Sequence, residues 1–155
     1  MYVFVCVRCE MSAQGTATRR GLTVAITGGC GALASHIARL IYTQWQDVQE
    51  IRLFDLVPPL PTHLTSITGY TINRDDPKLS YYQGDMMDSG TLRAAFAKVD
   101  VVIHCAGVVD NGGVMTRRRM SINPAGTKNV VHACLDCGVA ALVYTGSAAQ
   151  VFAAS

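Results

Sequence analysis

Leu22-Thr23-Val24-Ala25-Ile26-Thr27-Gly28-Gly29-Cys30-Gly31-Ala32-Leu33-Ala34 is the stretch that decides the fold. Its first six residues are apolar or β-branched, as a buried strand requires, and they run straight into glycines. Downstream, Leu33, Ile37, Leu40 and Ile41 recur at the spacing of a helix laid on a sheet. A strand, a glycine-rich turn and a helix bring free backbone N–H groups and a positive helix end to one point, where a pyrophosphate can rest. In the pattern G-x-x-G-x-x-A, Gly28 permits the tight turn, Gly31 lets the backbone approach phosphate, and Ala34 keeps the helix close to the strand. Ala32 and Leu33 open the helix and contribute its first amides. Asp55 ends the next apolar run, Glu50 to Asp55, at 55 − 34 = 21 residues past Ala34. That is the spacing of a carboxylate that holds a ribose. Leu56 and Val57 bring no cation for a 2′-phosphate, so the expected dinucleotide is NAD rather than NADP.

Outward from this unit the alternation continues. The prolines Pro58, Pro59, Pro61 and Pro77 with Gly69 forbid a regular helix over 56–78, which reads as a connection. Leu79 to Gly84 is a third strand, Leu92, Ala95, Phe96 and Val99 mark a helix, and Asp100 to His104 is a fourth strand buried on both faces. A polar loop is expected from Asp110 to Arg119. Val130, Val131, Cys134 and Leu135 then mark one face of a helix over Ile122 to Asp136, stopped by Gly138, and Ala141 to Thr145 is a fifth strand. The fold class is α/β, a doubly wound parallel (Rossmann) sheet truncated after the fifth strand. Residues 21–155 are expected to form this dinucleotide-binding domain, with its substrate half absent, and residues 1–20 an unstructured extension.

Composition agrees. The chain has 155 residues, half of them apolar and 15% charged, which suits one globular domain and excludes disorder and coiled coil. A net charge of +2 argues for neither nucleic acid nor an anionic membrane as the main partner. The six cysteines include two C-x-x-C pairs, Cys6/Cys9 and Cys134/Cys137. Their placement in apolar, regularly patterned segments favours packing as reduced thiols over a zinc site or a disulfide framework, hence an intracellular setting. His36, His63, His104 and His132 read as structural imidazoles rather than catalytic bases.

With these motifs in place, the chain resembles the extended short-chain dehydrogenase/reductases, and within them the 3β-hydroxysteroid dehydrogenase/isomerase branch. The resemblance rests on Thr27 to Ala34, on Gly84-Asp85-Met86, on His104-Cys105-Ala106-Gly107, on Asn123-Pro124-Ala125-Gly126-Thr127 and on Tyr144-Thr145-Gly146-Ser147. Glu50 to Asp55, the pairing of Asp110 with Gly113-Val114, and Thr145 to Ala149 point to the sterol branch. The resemblance implies that Asp85 accepts from the adenine amino group while the Met86 N–H donates to the ring. It implies that Cys105 and Ala106 line the cofactor beside the fourth strand, with Thr145 also at the cofactor. Ser147 would bond the substrate oxygen, and Asn123 would organise backbone and water near the site. The implied activity is NAD-dependent oxidation of a sterol 3β-hydroxyl, with a steroid or other small hydrophobic alcohol as substrate. The implied setting is the cytoplasm or the cytoplasmic face of the endoplasmic reticulum.

The sequence departs from that family at Gly146, where a serine is usual, and at Pro124, which removes a helix donor. It also holds no Tyr with a Lys four residues on. That pair relays the proton in the family, so this chain alone is expected to turn over little or nothing. A nucleotide-sugar epimerase, a dihydroflavonol-type reductase and a non-catalytic NAD-binding module stay open as alternatives. The fifth strand is expected to leave an open edge, to be covered by a homodimer mate or a full-length enzyme.

Overall fold

The computed structural model describes residues 2–8, 21–58, 75–108 and 117–147, with side chains over 21–58, 75–108 and 121–146. His63, Asp110, Gly113, Val114, the side chains of Cys6, Arg117, Arg118, Arg119 and Ser147, and residues Cys9, Ala148 and Ala149 lie outside that description. The elements run β1 (Tyr2–Arg8), β2 (Leu22–Thr27), α1 (Ala32–Gln44), β3 (Val48–Asp55), β4 (Leu79–Gln83), α2 (Ser89–Phe96), β5 (Val101–His104), α3 (Arg117–Asp136) and β6 (Ala141–Ser147).

The sheet order is β1-β6-β5-β2-β3-β4. Five strands, β6 to β4 in that order, are parallel, and β1 lies antiparallel to β6. Strand alternation sorts the apolar side chains into two layers. Val24, Ile26, Ile51, Leu53 and Ile103 pack with Ala34, Ala38 and Ile41 of α1 on one face. Ala25, Phe54, Val102 and Leu142 pack with α2 and α3 on the other. The expected doubly wound parallel sheet is therefore present, with helices on both faces.

Three expectations need correction. First, Tyr2–Arg8 is not an unstructured tail: it pairs residue for residue from Tyr2↔Ser147 to Arg8↔Ala141. The β6 ladder is thus satisfied within the chain, and the edge expected at the fifth strand belongs to β1 instead. Second, α3 begins at Arg117 rather than after Arg119, and carries Pro124 inside it. Third, its buried face is Val130, Ala133 and Cys134, while Val131 and Leu135 are 38% and 60% exposed. The face tucked under the sheet is chosen by contact with α2 and β5, which apolar spacing alone does not report. In the same way α1 meets the sheet through Ile41 and through Ala34 and Ala38, whose small side chains allow close approach, with Leu33, Ile37 and Leu40 only half-buried. Gly138, at φ +67, ends α3 as expected, with bonds from Gly138 N to Leu135 O and from Val139 N to Cys134 O.

One buried polar group ties the layers together. The His104 ring bonds Thr27 Oγ1 through Nδ1 at 2.6 Å and Thr127 Oγ1 through Nε2 at 3.0 Å, joining β5 to β2 and to α3. His36 and His132, by contrast, are exposed. Burial pushes His104 from 6.5 down to about 4, so the imidazole is neutral at physiological pH. Below its unfolded value the unfolded chain binds a proton that the folded chain refuses. Stability present above pH 6.5 is therefore lost as the pH falls towards 4, by an amount on the order of 3 kcal/mol.

Two outcomes are expected. Urea titrations between pH 7 and pH 4.5 should show wild type losing stability on acidification more steeply than His104→Gln, by roughly 1–3 kcal/mol over the range; equal slopes would clear His104 of the effect. Deleting residues 1–8 should bare the β6 ladder and drive self-association visible by light scattering. A deletion variant that stays monodisperse would mean that β1 protects nothing.

Candidate functional site

The carboxyl ends of β2, β3, β4 and β5 meet in a groove of about 340 Å³. It sits where the strand order reverses on either side of β2, the position at which open α/β sheets bind ligands. Gly28, Gly31, Asp55, Asp85, Met86, Cys105 and Ala106 all line it, so seven of the sequence-singled residues converge there. Ala32 and Leu33 are not among the lining residues, but they form the first turn of α1 directly after Gly31.

At Gly28 and Gly29 the turn has no room for a β-carbon. Gly28 has φ +68, and a Cβ on it would lie 2.9 Å from Ala106 N. Gly29, which sequence reasoning passed over, lies as close to the neighbouring strand: its Cβ would meet Leu53 Cα at 2.9 Å. The second glycine of a G-G pair was the available signal. Gly31 caps α1 in an extended conformation, with no side-chain cap and no acidic residue in the first turn. The leading amides of α1 therefore have no side-chain acceptor competing for them, and the positive end of the helix faces the groove.

Asp55 stands beside this end. Its Oδ2 accepts from Cys30 N at 2.9 Å and its Oδ1 from Val57 N at 3.2 Å, which aims the carboxylate across the turn. The neighbouring Cys30 thiol is pushed up to about 11, by burial first and by the charge of Asp55 second, and it reaches Val57 O at 3.5 Å. Burial likewise raises Cys105. Both thiols are neutral, so neither adds negative charge where an anion would lie. No Lys or Arg lines the groove among the described residues.

The far wall is the Asp85–Met87 turn. Asp85 Oδ1 accepts from Met87 N at 2.9 Å. Met86 is buried, and a Cβ at Gly126 of α3 would lie 2.5 Å from its Sδ. Asn129 Nδ2 donates to Met86 O at 3.1 Å and to Met87 O at 3.4 Å, a tie that sequence reasoning missed because it depends on the phase of α3. On the opposite side Asn123 grips the backbone of Val108, accepting from its N at 2.7 Å and donating to its O at 3.0 Å. Asn123 thus has its amide engaged with the chain and is not in the lining. Nor is Thr145, whose Oγ1 donates to His104 O at 3.1 Å and so links β6 to β5. Ser147 ends β6, and its side chain is outside the described residues.

The 3-beta hydroxysteroid dehydrogenase/isomerase family matches residues 25–155. The chain is 35% identical over 127 residues to mouse 3 beta-hydroxysteroid dehydrogenase type 7, covering 81% of this chain and 32% of the mouse protein. The human type 7 protein is 35% identical over 135 residues, covering 85% of this chain and 34% of its own length. The chain therefore spans about a third of the curated relatives it matches. Among solved structures, the dTDP-glucose 4,6-dehydratase DesIV of Streptomyces venezuelae, solved with NAD and TYD bound, superposes with a TM-score of 0.65 at 22% identity, over 77% of this chain and 37% of that one. That likeness establishes the fold. On the family match, which runs from inside β2 through the whole groove, this chain belongs to the 3-beta hydroxysteroid dehydrogenase/isomerase family.

Proposed function

We propose that the groove binds NAD and that this chain is the cofactor-binding portion of an oxidoreductase acting on the 3β-hydroxyl of a sterol. The observation that carries the reading is the amino end of α1, capped by no side-chain hydrogen bond, beside a carboxylate held by two backbone N–H groups. A pyrophosphate needs the first and a ribose diol the second. No cation lines the groove among the described residues, which suits a ribose without a 2′-phosphate.

In this reading Gly28, Gly31, Ala32 and Leu33 receive the phosphates, and Asp55 accepts from the adenosine ribose hydroxyls. Asp85 and Met86 hold the adenine, and Cys105 and Ala106 form the floor beside β5. NAD, when bound, supplies a hydride acceptor for the carbon bearing the hydroxyl. Ser147, at the carboxyl end of β6, would bond the substrate oxygen. Asn123 acts through Val108, whose backbone it clasps. A Tyr with Lys four residues on is lacking in this sequence, and general acid/base catalysis is worth roughly 10²- to 10⁴-fold, so turnover by this chain alone should be slight.

The family supports a steroid substrate for a full-length enzyme. The exposed Val131 and Leu135 of α3 and the outer edge of β1 support association with a second copy or a longer relative. The thiols at Cys30, Cys105 and Cys137 support an intracellular setting, in the cytoplasm or at the cytoplasmic face of the endoplasmic reticulum. No helix among the described residues is long and apolar enough to cross a membrane.

Titration calorimetry should give NAD binding in the micromolar range, with NADP weaker. Asp55→Ala should cost about 10- to 100-fold and narrow the preference for NAD, since it removes charge-assisted hydrogen bonds. Gly31→Val should abolish most of the binding by filling the approach to the α1 amides. A folded wild-type sample that takes up no NAD would refute the reading.

A further inference from the structure

We propose that Asn129 is a positioning residue for purine recognition, selecting a 6-amino purine without touching it by locking the Asp85–Met87 turn to α3. The inference rests on reading the groove as the NAD site.

Asn129 spans the gap with one amide. Its Nδ2 reaches the carbonyls of Met86 and Met87, the two residues that follow Asp85. Within the turn, Asp85 Oδ1 already accepts from Met87 N, and Asp85 O accepts from Asp88 N at 2.9 Å. Asp88 in turn caps α2 through Gly90 N and Thr91 N. The turn is therefore a closed unit carried on α2. Asn129 supplies a side-chain hydrogen bond from α3 to it. Packing repeats the message: Gly126, one turn earlier on the same side of α3, is cut away so that Met86 can enter. A helix that both grips the main chain of Met86 and makes room for its side chain sets where Asp85 stands.

The consequence is selective. The phosphate and ribose contacts belong to β2, α1 and β3, which Asn129 does not touch. The opposite wall is tied to α3 by other residues, through Asn123 to Val108 and through Thr127 to His104. Loss of the Asn129 amide should free the turn alone. The carboxylate of Asp85 then loses its aim at the exocyclic group of the base. It would lose the ability to prefer an amino group, which donates to it, over a 6-oxo group, which repels it.

The test is calorimetric titration of the whole chain with NAD and with nicotinamide hypoxanthine dinucleotide, in which the 6-amino group is replaced by oxygen. Wild type should prefer NAD. Asn129→Leu, of similar volume but without donors, should bind NAD about tenfold more weakly while binding the hypoxanthine analogue within about threefold of wild type, which brings the two affinities together. Gly126→Ala is an independent route to the same end, because it displaces Met86 while adding a better helix former, so a folding failure of the leucine variant does not end the test. Equal losses for both dinucleotides, or an unchanged NAD preference in a folded variant of either kind, would overturn the proposal and leave NAD binding standing. Wild type that binds neither dinucleotide would overturn it together with the cofactor reading.

Discussion

At Gly28 and Gly29 the backbone of the β2–α1 turn lies closer to its neighbours than a β-carbon allows. A β-carbon on Gly28 would press on the Ala106 amide, and one on Gly29 would press on the main chain of Leu53. Positions 28 and 29 can therefore sit between β5 and β3 only as glycine, with Gly28 in the left-handed region that other residues resist. This approach delivers the first amides of α1 to the crevice where the strand order reverses, and it brings Cys30 N within bonding range of Asp55. Remove it and the helix end, the carboxylate and the floor at Cys105–Ala106 no longer share one space.

The far side of the groove is held by α3. Three of its polar side chains reach three different places: Asn123 the Val108 backbone, Thr127 the His104 ring, and Asn129 the turn after β4. Each of those bonds satisfies a group that would otherwise be shut away from water or left mobile. The electrostatics are spare. The thiols and the buried imidazole are neutral, no cation lines the groove among the described residues, and the fixed charges are the carboxylates of Asp55 and Asp85. Negative ligand charge is left to the helix end and the backbone amides, and the carboxylates are left to hydrogen-bond donors.

Legibility in the sequence followed the range of the interaction. Strands β2 to β6 were readable because their β-branched and apolar runs are local, and Gly138 was readable as a helix stop for the same reason. The face of α3 was not. Val130 and Cys134 lie one position from Val131 and Leu135, so two apolar stripes of similar strength run side by side, and the choice between them is made by α2 and β5. The pairing of β1 with β6 was invisible because it joins opposite ends of the chain, across a polar stretch that reads as a linker. Of the candidate site, Gly28, Gly31, Asp55, Asp85, Met86, Cys105 and Ala106 line one groove, Asn123 holds the backbone of Val108 as the resemblance implies, and Thr145 bonds His104 O away from the lining.

By itself, then, the amino-acid sequence determined the class of fold, the β2–α1 turn and the carboxylate that follows it, since each depends on conformational and burial preferences of residues adjacent in the chain. Only the tertiary structure decided which face of α3 is buried, that β1 extends the sheet beside β6, and that Asn129, Gly126 and Met86 form one joint at the edge of the groove. Those outcomes are set by the packing of segments distant in sequence, where the energy of a contact depends on an orientation that no local pattern records.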